Sequence, residues 1–456
     1  MQSQQQEPAP HWDSVVFVWA VWSGALLSAL RVAYGARKYP FTDDWILAPV
    51  LAGDQPVTLG WLWQQHGDHR IPLVRLVFLA LYNRFTGADF RIGVLFNVAA
   101  LALLAAGMIL VAQRLRGYTT YSDAFFPFAL LQRGLWAVWW SFGVHYVCWQ
   151  ILATGLLLIV VQHTGRLSVG YALLATGALV LLPMCGSIGL ALVPALALWL
   201  FLAGAHEGRS PNGNRRAAVV AVVGGVAAVS VALTYLVGLQ MTSEYRSESL
   251  LAALKLAGRF LSAGFGFAFA EIPSFPWQLI MPCLVVGSLG GLAAAVRFNS
   301  SEWRRGLGLV LFLGAMGCLG LALGVGRGGL PSDTGGFDHH YGLLALPFLT
   351  WTYFVWCAYY GSRPIGHLVQ MTLFLVMCVV FVLNFFAATY LSGAREAEDH
   401  FEADVRAGLP IETLTERHLA LFWWPQHTDE GKRVVADGMR ALRRTGVAPF
   451  RFIPGD

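Results

Sequence analysis

The chain alternates apolar runs, nearly all of them uncharged, with polar joints. The runs cover 14–30, 92–112, 121–133, 145–161, 168–183, 187–204, 217–239, 277–296, 306–325, 341–360 and 368–392. A helix needs about 20 apolar residues to cross the hydrocarbon core. The stretch 168–204 is too long for one span and carries Pro183 and Gly186 near its middle, so it divides there. The run 121–133 (YSDAFFPFALLQR) is short, but the count of turns needs a crossing at that place. The pattern predicts an all-α integral membrane protein of about eleven transmembrane helices. Residues 1–13 form a cytoplasmic N-terminus, 14–392 a transmembrane domain, and 393–456 a small extracytoplasmic tail. The first run is not read as a secretory signal, because residues 1–13 carry no Lys or Arg and no A-x-A site follows.

Amphipathic segments fill the longer joints. In the first outer loop, 35–91, the pieces 44–52 and 71–85 are expected as interfacial helices, the second with Arg75 and Arg84 among large apolar residues. Residues 245–268, with Arg246, Lys255 and Arg259, form a similar candidate. Trp136, Trp139, Trp140 and Trp149 cluster as an aromatic belt would. Asn97, inside an apolar run, is expected to serve helix packing. In the tail, Thr428 can cap a helix with Val434, Val435, Met439 and Leu442 on its apolar face and Gly446 beyond its end.

Composition narrows the class. Hydrophobic residues make up 56% of the chain, charged residues only 12%, and the mean hydropathy is +0.57. A soluble domain carries roughly 25% charge. A soluble enzyme, a disordered chain and a nucleic-acid-binding protein are excluded. The six cysteines form no CxxC pair and no zinc or haem spacing.

Charge sets the expected orientation. Ten arginines crowd into the short joints 114–120, 162–167, 205–216, 297–305 and 361–367. The opposite joints hold ten Lys and Arg spread over much longer loops. The positive-inside rule makes the first set cytoplasmic, although Arg31, Arg37 and Lys38 pull locally the other way. An odd number of crossings then puts the tail outside.

In a chain so poor in charge, clustered polar residues in the outer loops stand out. Asp43 and Asp44, in Thr42-Asp43-Asp44-Trp45, read either as helix caps or as a general base, with one acid raising its neighbour's pKa. Trp45 is expected to anchor the pair at the interface. His66-Gly67-Asp68-His69-Arg70 reads either as a capped helix start or as a phosphate and sugar site. The glycine-rich loop 326–341 contains Arg327, His339, His340 and Tyr341; the His pair could ligate a metal, but a flexible outer loop is the plainer reading. Arg133 ends a short apolar run, where snorkelling is the default.

These residues carry a resemblance. Asp43-Asp44-Trp45, then Gly67-Asp68-His69-Arg70-Ile71-Pro72, then Gly326-Arg327 and His339-His340-Tyr341 resemble the GT-C superfamily of polytopic glycosyltransferases over roughly residues 14–392. The resemblance implies a bacterial inner-membrane enzyme with its active site on the periplasmic face. It implies a polyprenyl-phosphate sugar donor and a lipid, glycan or protein acceptor. Asp43 or Asp44 would be the general base or, as in some members, the ligand of a divalent metal. Arg327 would hold the lipid phosphate, with Asp68, His69, Arg70, Arg133, His339, His340 and Tyr341 as further donor-site candidates. The chain departs from the family where His340-Tyr341 replaces the commoner Arg-Tyr. Two rivals stay open. One resembles O-antigen ligases and polymerases, which rely on late-loop His and Arg. The other is a lipid or solute transporter, for which the near absence of charge within the helices is unfavourable.

Overall fold

The computed structural model describes residues 12–82, 88–163, 165–241, 246–266, 277–327, 339–387, 394–424 and 428–455. Arg84 and loop residues 328–338 lie outside the described residues, as do 1–11 of the expected N-terminus and 393 of the tail. The uncharged runs form helices, and the protein is an all-α membrane protein. Among the described residues, eight helices are long and apolar enough to cross a bilayer. In the order α1 to α12, the membrane part comprises Trp12–Tyr34, Pro72–Leu81, Arg91–Arg116, Val144–Gln162, Val169–Leu181, Val193–Arg209, Arg215–Leu236, Leu250–Ser262, Trp277–Phe298, Trp303–Arg327, Gly342–Tyr360 and Pro364–Ala387. The tail adds α13 (Ala394–Arg406), α14 (Ile411–Phe422) and α15 (Asp429–Arg444). Helices α4 and α11 are largely buried, whereas α1 and α9 expose most of their surface.

Contacts between joints define two ends. At the near end, Ser14 donates to the Thr119 carbonyl, Arg114 to Gln162, and Tyr118 to the Gly361 carbonyl. There Glu207 accepts from the Leu167 and Asn214 amides. At the far end, Trp140 donates to the Phe41 carbonyl, Gln65 to that of Gln240, and Arg395 to that of Tyr34. All ten arginines of the short-joint set lie in the near-end joints or the helix turns beside them. Tracing these contacts, the described chain passes from end to end eleven times. Beside the eight long helices, the other crossings are 121–143, 169–185 and 193–209.

The crossing at 121–143 corrects the expected helix at 121–133. It consists of a 3-10 turn Tyr121–Ala124, a helix of only six residues, Phe125–Leu130, and two further 3-10 turns, Trp136–Trp139 and Ser141–Gly143. Non-helical backbone at membrane depth survives only where protein satisfies it. Here Asn97 donates to the Val138 and Trp140 carbonyls, and Trp139 to that of Arg133. The tryptophans therefore do not form a lipid-facing belt. Trp139, Trp140 and Trp149 are buried, and Trp149 donates to the Ile188 carbonyl.

Four further expectations change. Of the expected interfacial segment 245–268, residues 245, 267 and 268 lie outside the described residues, and the rest does not lie flat: α8 runs antiparallel along the last turns of α10, with Gly324 beside Ala253 and Gly320 beside Phe260. Arg75 of α2 is not held at water but buried, donating to the Trp61, Leu62 and Gln64 carbonyls. Charge is not absent from the interior. Arg116, at the end of α3, pairs with Asp123, both fully buried, and Tyr353 donates to the same Asp123 at 2.8 Å. This pair ties the start of the broken crossing to α3 and α11 at the near end. Finally, Trp45 does not face the interface. It is 2% exposed in a second core with Tyr39, Phe401, Phe422, Met439 and Phe450, made by the first loop and the tail.

Candidate functional site

The first loop builds the site from four short pieces. A 3-10 turn, Thr42–Leu47, carries the two aspartates. Strands β1 (Gln65–His66) and β2 (His69–Arg70) pair antiparallel, with His66 opposite His69. Gly67, at φ +51°, supplies the left-handed value that a two-residue hairpin turn asks of its first central position. Pro72 then starts α2, where its missing N–H costs nothing.

The two aspartates part company. Asp44 is 1% exposed, and its Oδ2 accepts the Phe41 N–H at 3.1 Å. Burial pushes its carboxyl well above the usual range; the Phe41 N–H pulls the other way, and the neighbouring Asp43 adds to the rise. Asp44 is thus a buried capping residue, its oxygen taken up by the Phe41 amide. The Asp43 side chain is 37% exposed, and its Oδ1 lies 3.2 Å from His66 Nε2. Thr42, just before it, has φ +52°. A β-branched residue in the left-handed region is strained by roughly 1–2 kcal/mol. Such strain is found where a neighbouring side chain must be aimed.

The hairpin reaches three partners. His66 meets Asp43, and its ring lies 5.5 Å from that of Phe142. Asp68, in the turn, accepts from Arg327 at 2.9 Å, across 259 residues of chain. His69 Nδ1 lies 2.6 Å from Ser187 Oγ. Burial, then the nearby Arg327, lowers the His69 pKa to about 4, so its imidazole is neutral at ordinary pH. Behind it, His145 is 2% exposed, 5.5 Å from His69 ring to ring, and its Nε2 has no hydrogen-bond partner among the described residues. Gly186, at φ +121°, leaves room for that imidazole: a Cβ there would come within 2.6 Å of Nε2.

The remaining expected residues are spread around this basin. The His340 ring lies tilted 5.3 Å from that of Tyr146 and 6.3 Å from that of Trp136, with Tyr341 buried beside it. Of His339, only the backbone, in the turn His339–Tyr341, falls within the description. Arg70 is committed to the end of α7, donating from its guanidinium to the Val237 carbonyl and from its amide to the Tyr235 hydroxyl, both at 2.8 Å. Arg133 sits 3.7 Å over the Phe385 ring, at the end of α12. The structure therefore brings together Asp43, Asp68, His69 and Arg327, and adds His66, Ser187 and His145. His66 stood in the quoted run, and the hairpin pairing explains its role. Nothing local to Ser187 or His145 marks either as a site residue.

The aspartate pair is not arranged to share a metal, since Asp44 is 1% exposed with its Oδ2 taken by the Phe41 amide, and Asp43 Oδ1 faces the His66 imidazole. Among the described residues, no three His, Cys, Asp or Glu side chains converge as a ligand set. The aspartate turn and the hairpin together offer an accessible carboxylate, imidazoles, a hydroxyl and an arginine at the far end of the helical bundle. No protein-family model, curated protein or solved structure matches the chain.

Proposed function

We propose that this protein is a membrane glycosyltransferase that moves a sugar from a polyprenyl-phosphate donor to a lipid, glycan or protein acceptor. Asp43 is the general base. It removes the acceptor hydroxyl proton, the oxygen attacks the anomeric carbon, and the polyprenyl phosphate leaves as an anion stabilised by Arg327. The observation that carries this reading is the split of the acidic pair: Asp43 is accessible and aimed by a strained Thr42, while Asp44 is buried as a cap. General-base assistance contributes about 10²–10⁴-fold. A membrane-embedded donor suits a set of candidate residues gathered in the loops at one end of the helical bundle and needs no nucleotide fingerprint. The arginine-rich near end supports a cytoplasmic placement for it, and with it a periplasmic site in a bacterial inner membrane.

The test is transfer of labelled sugar from a polyprenyl-phosphate donor in proteoliposomes. The wild type should transfer, and Asp43→Asn should be inserted and folded but at least a hundredfold slower. Full activity in Asp43→Asn, Asp44→Asn and the double variant would end this mechanism. Loss of activity confined to His340→Ala would instead favour a ligase-like reaction centred on the late loop.

A further inference from the structure

We infer that His66 is a positioning residue for Asp43, donating its Nε2–H to Oδ1 so that Oδ2 is the oxygen left to take the acceptor proton. The inference rests on the reading of Asp43 as the base, and it adds a residue which that chemistry does not itself require.

Three observations carry it. The first is the contact, 3.2 Å between His66 Nε2 and Asp43 Oδ1. The second is accessibility: both side chains are partly exposed, at 24% and 37%. A partly wet carboxylate has no structural need of a partner, and an exposed pair adds little to stability. The third is the way His66 is held. Its ring packs near Phe142, and its hairpin is pinned at the turn, Asp68 to Arg327, and on the paired strand, His69 to Ser187. An imidazole fixed at so many points can fix a carboxylate in turn, as second-layer hydrogen bonds do in preorganised sites. The backbone of Asp43 is held in the 3-10 turn Thr42–Leu47, which leaves the rotation of its side chain as the freedom still to be removed. One oxygen held by His66 removes it. A misplacement of about 1 Å in a reacting group can cost on the order of 100-fold in rate.

The proton balance is simple. The acceptor O–H bond breaks, its proton goes to Asp43 Oδ2, the new C–O bond forms at the anomeric carbon, and the C–O bond to phosphate breaks. His66 keeps its own proton throughout.

The experiment is a substitution series at His66, read in the reconstituted transfer assay. His66→Phe keeps a ring against Phe142 but removes the N–H; His66→Gln offers an amide N–H in its place. His66→Phe is expected to lower kcat about tenfold or more with donor KM within twofold, and His66→Gln to recover most of that loss. Equal kcat in His66→Phe and wild type would overturn the proposal, as would a loss confined to KM. In the double variant with Asp43→Asn, His66→Phe should cost nothing further, because its effect runs through Asp43. An additive loss would overturn it. A second readout does not use activity. With ¹⁵N-labelled histidine, the His66 ring resonances should move on Asp43→Asn; unmoved resonances would refute the contact whatever the reaction is. Failure of the base assignment is seen separately, as full activity in Asp43→Asn.

Discussion

The indole of Trp45 fills the space that a side chain at position 438 would need. A Cβ on Gly438 would come within 2.2 Å of Trp45 Cε3. Trp45 also donates to the Phe422 carbonyl at 3.1 Å, so one residue of the aspartate turn is seated between two tail helices. Tyr39 donates to Glu402 at 2.6 Å, and the Lys38 amide to Glu398 at 2.7 Å, on the same interface. The tail thereby holds the turn that carries Asp43. Gly438→Ala should loosen this seat by about 1–3 kcal/mol, the usual cost of overpacking. Faster proteolysis of the tail and a lower thermal midpoint would report it, together with reduced transfer from a residue on the far side of the turn.

The two aspartates should respond differently to the same change. Burial raises the pKa of the Asp44 carboxyl and so disfavours its charge, and Asp44→Asn puts there an uncharged amide of the same size that can still accept the Phe41 N–H. Its thermal midpoint at pH 7 should equal or exceed that of the wild type, and its activity should persist. Asp44→Ala orphans the Phe41 amide and should cost about 1–3 kcal/mol. Thermal melts in detergent, run beside the transfer assay, compare all three with Asp43→Asn.

Arg327 and Asp68 join the end of α10 to the hairpin turn, with side-chain exposures of 23% and 10%. Arg327→Ala should weaken donor binding, and Arg327→Lys should restore only part, because Lys lacks the planar fork. Exchanging the two, Asp68→Arg with Arg327→Asp, should recover much of the thermal stability but not the activity. Donor titration of each variant separates the phosphate role from the structural one.

Acid should weaken the fold through its buried imidazoles. Burial lowers both His69 and His163 to about 4. An unfolded histidine titrates near ~6.5. Between those values the unfolded chain binds protons that the folded protein refuses, so stability drops as pH falls from about 6.5 towards 4. His163→Gln should flatten the slope of thermal midpoint against pH in that window by the equivalent of roughly 1–2 kcal/mol.

Orientation can be read with a membrane-impermeant thiol reagent on intact cells. A cysteine replacing the exposed Glu416 in α14 should label from outside, and one replacing Ser210 at the near end should not. The opposite pattern would place the basin in the cytoplasm.

How much of this was legible beforehand depends on the range of the interaction. The long helices were readable because an uncharged run of 20 residues has few alternatives in lipid. The break in 168–204 was readable because Pro183 and Gly186 stand there, and Gly186 does adopt φ +121°. The cap at Thr428 is local, and its side chain accepts from the Gly431 amide as its position suggests. The partners of the candidate site were not readable. His66 meets Asp43 across 23 residues, His69 meets Ser187 across 118, and Trp45 meets Phe422 across 377. Trp45 illustrates the reason. An indole between a loop and a membrane run suits a lipid interface and a protein core equally well, and only the arrival of α14 and α15 decides for the core.

The segment 121–143 also bears on how the protein is made. With six residues of α-helix, it cannot close its own backbone hydrogen bonds in lipid, where each unsatisfied group costs several kcal/mol. Asn97 precedes it and can serve at once. Gln132, however, donates to the Gly264 carbonyl, and Asn384 donates to Gln132 and, at 2.8 Å, to the Phe265 carbonyl. Those partners leave the ribosome more than a hundred residues later. The buried Gln132 side chain therefore gains these partners only when the chain has been made as far as Asn384, so the broken crossing reaches its full set of polar contacts only with the last helix of the bundle.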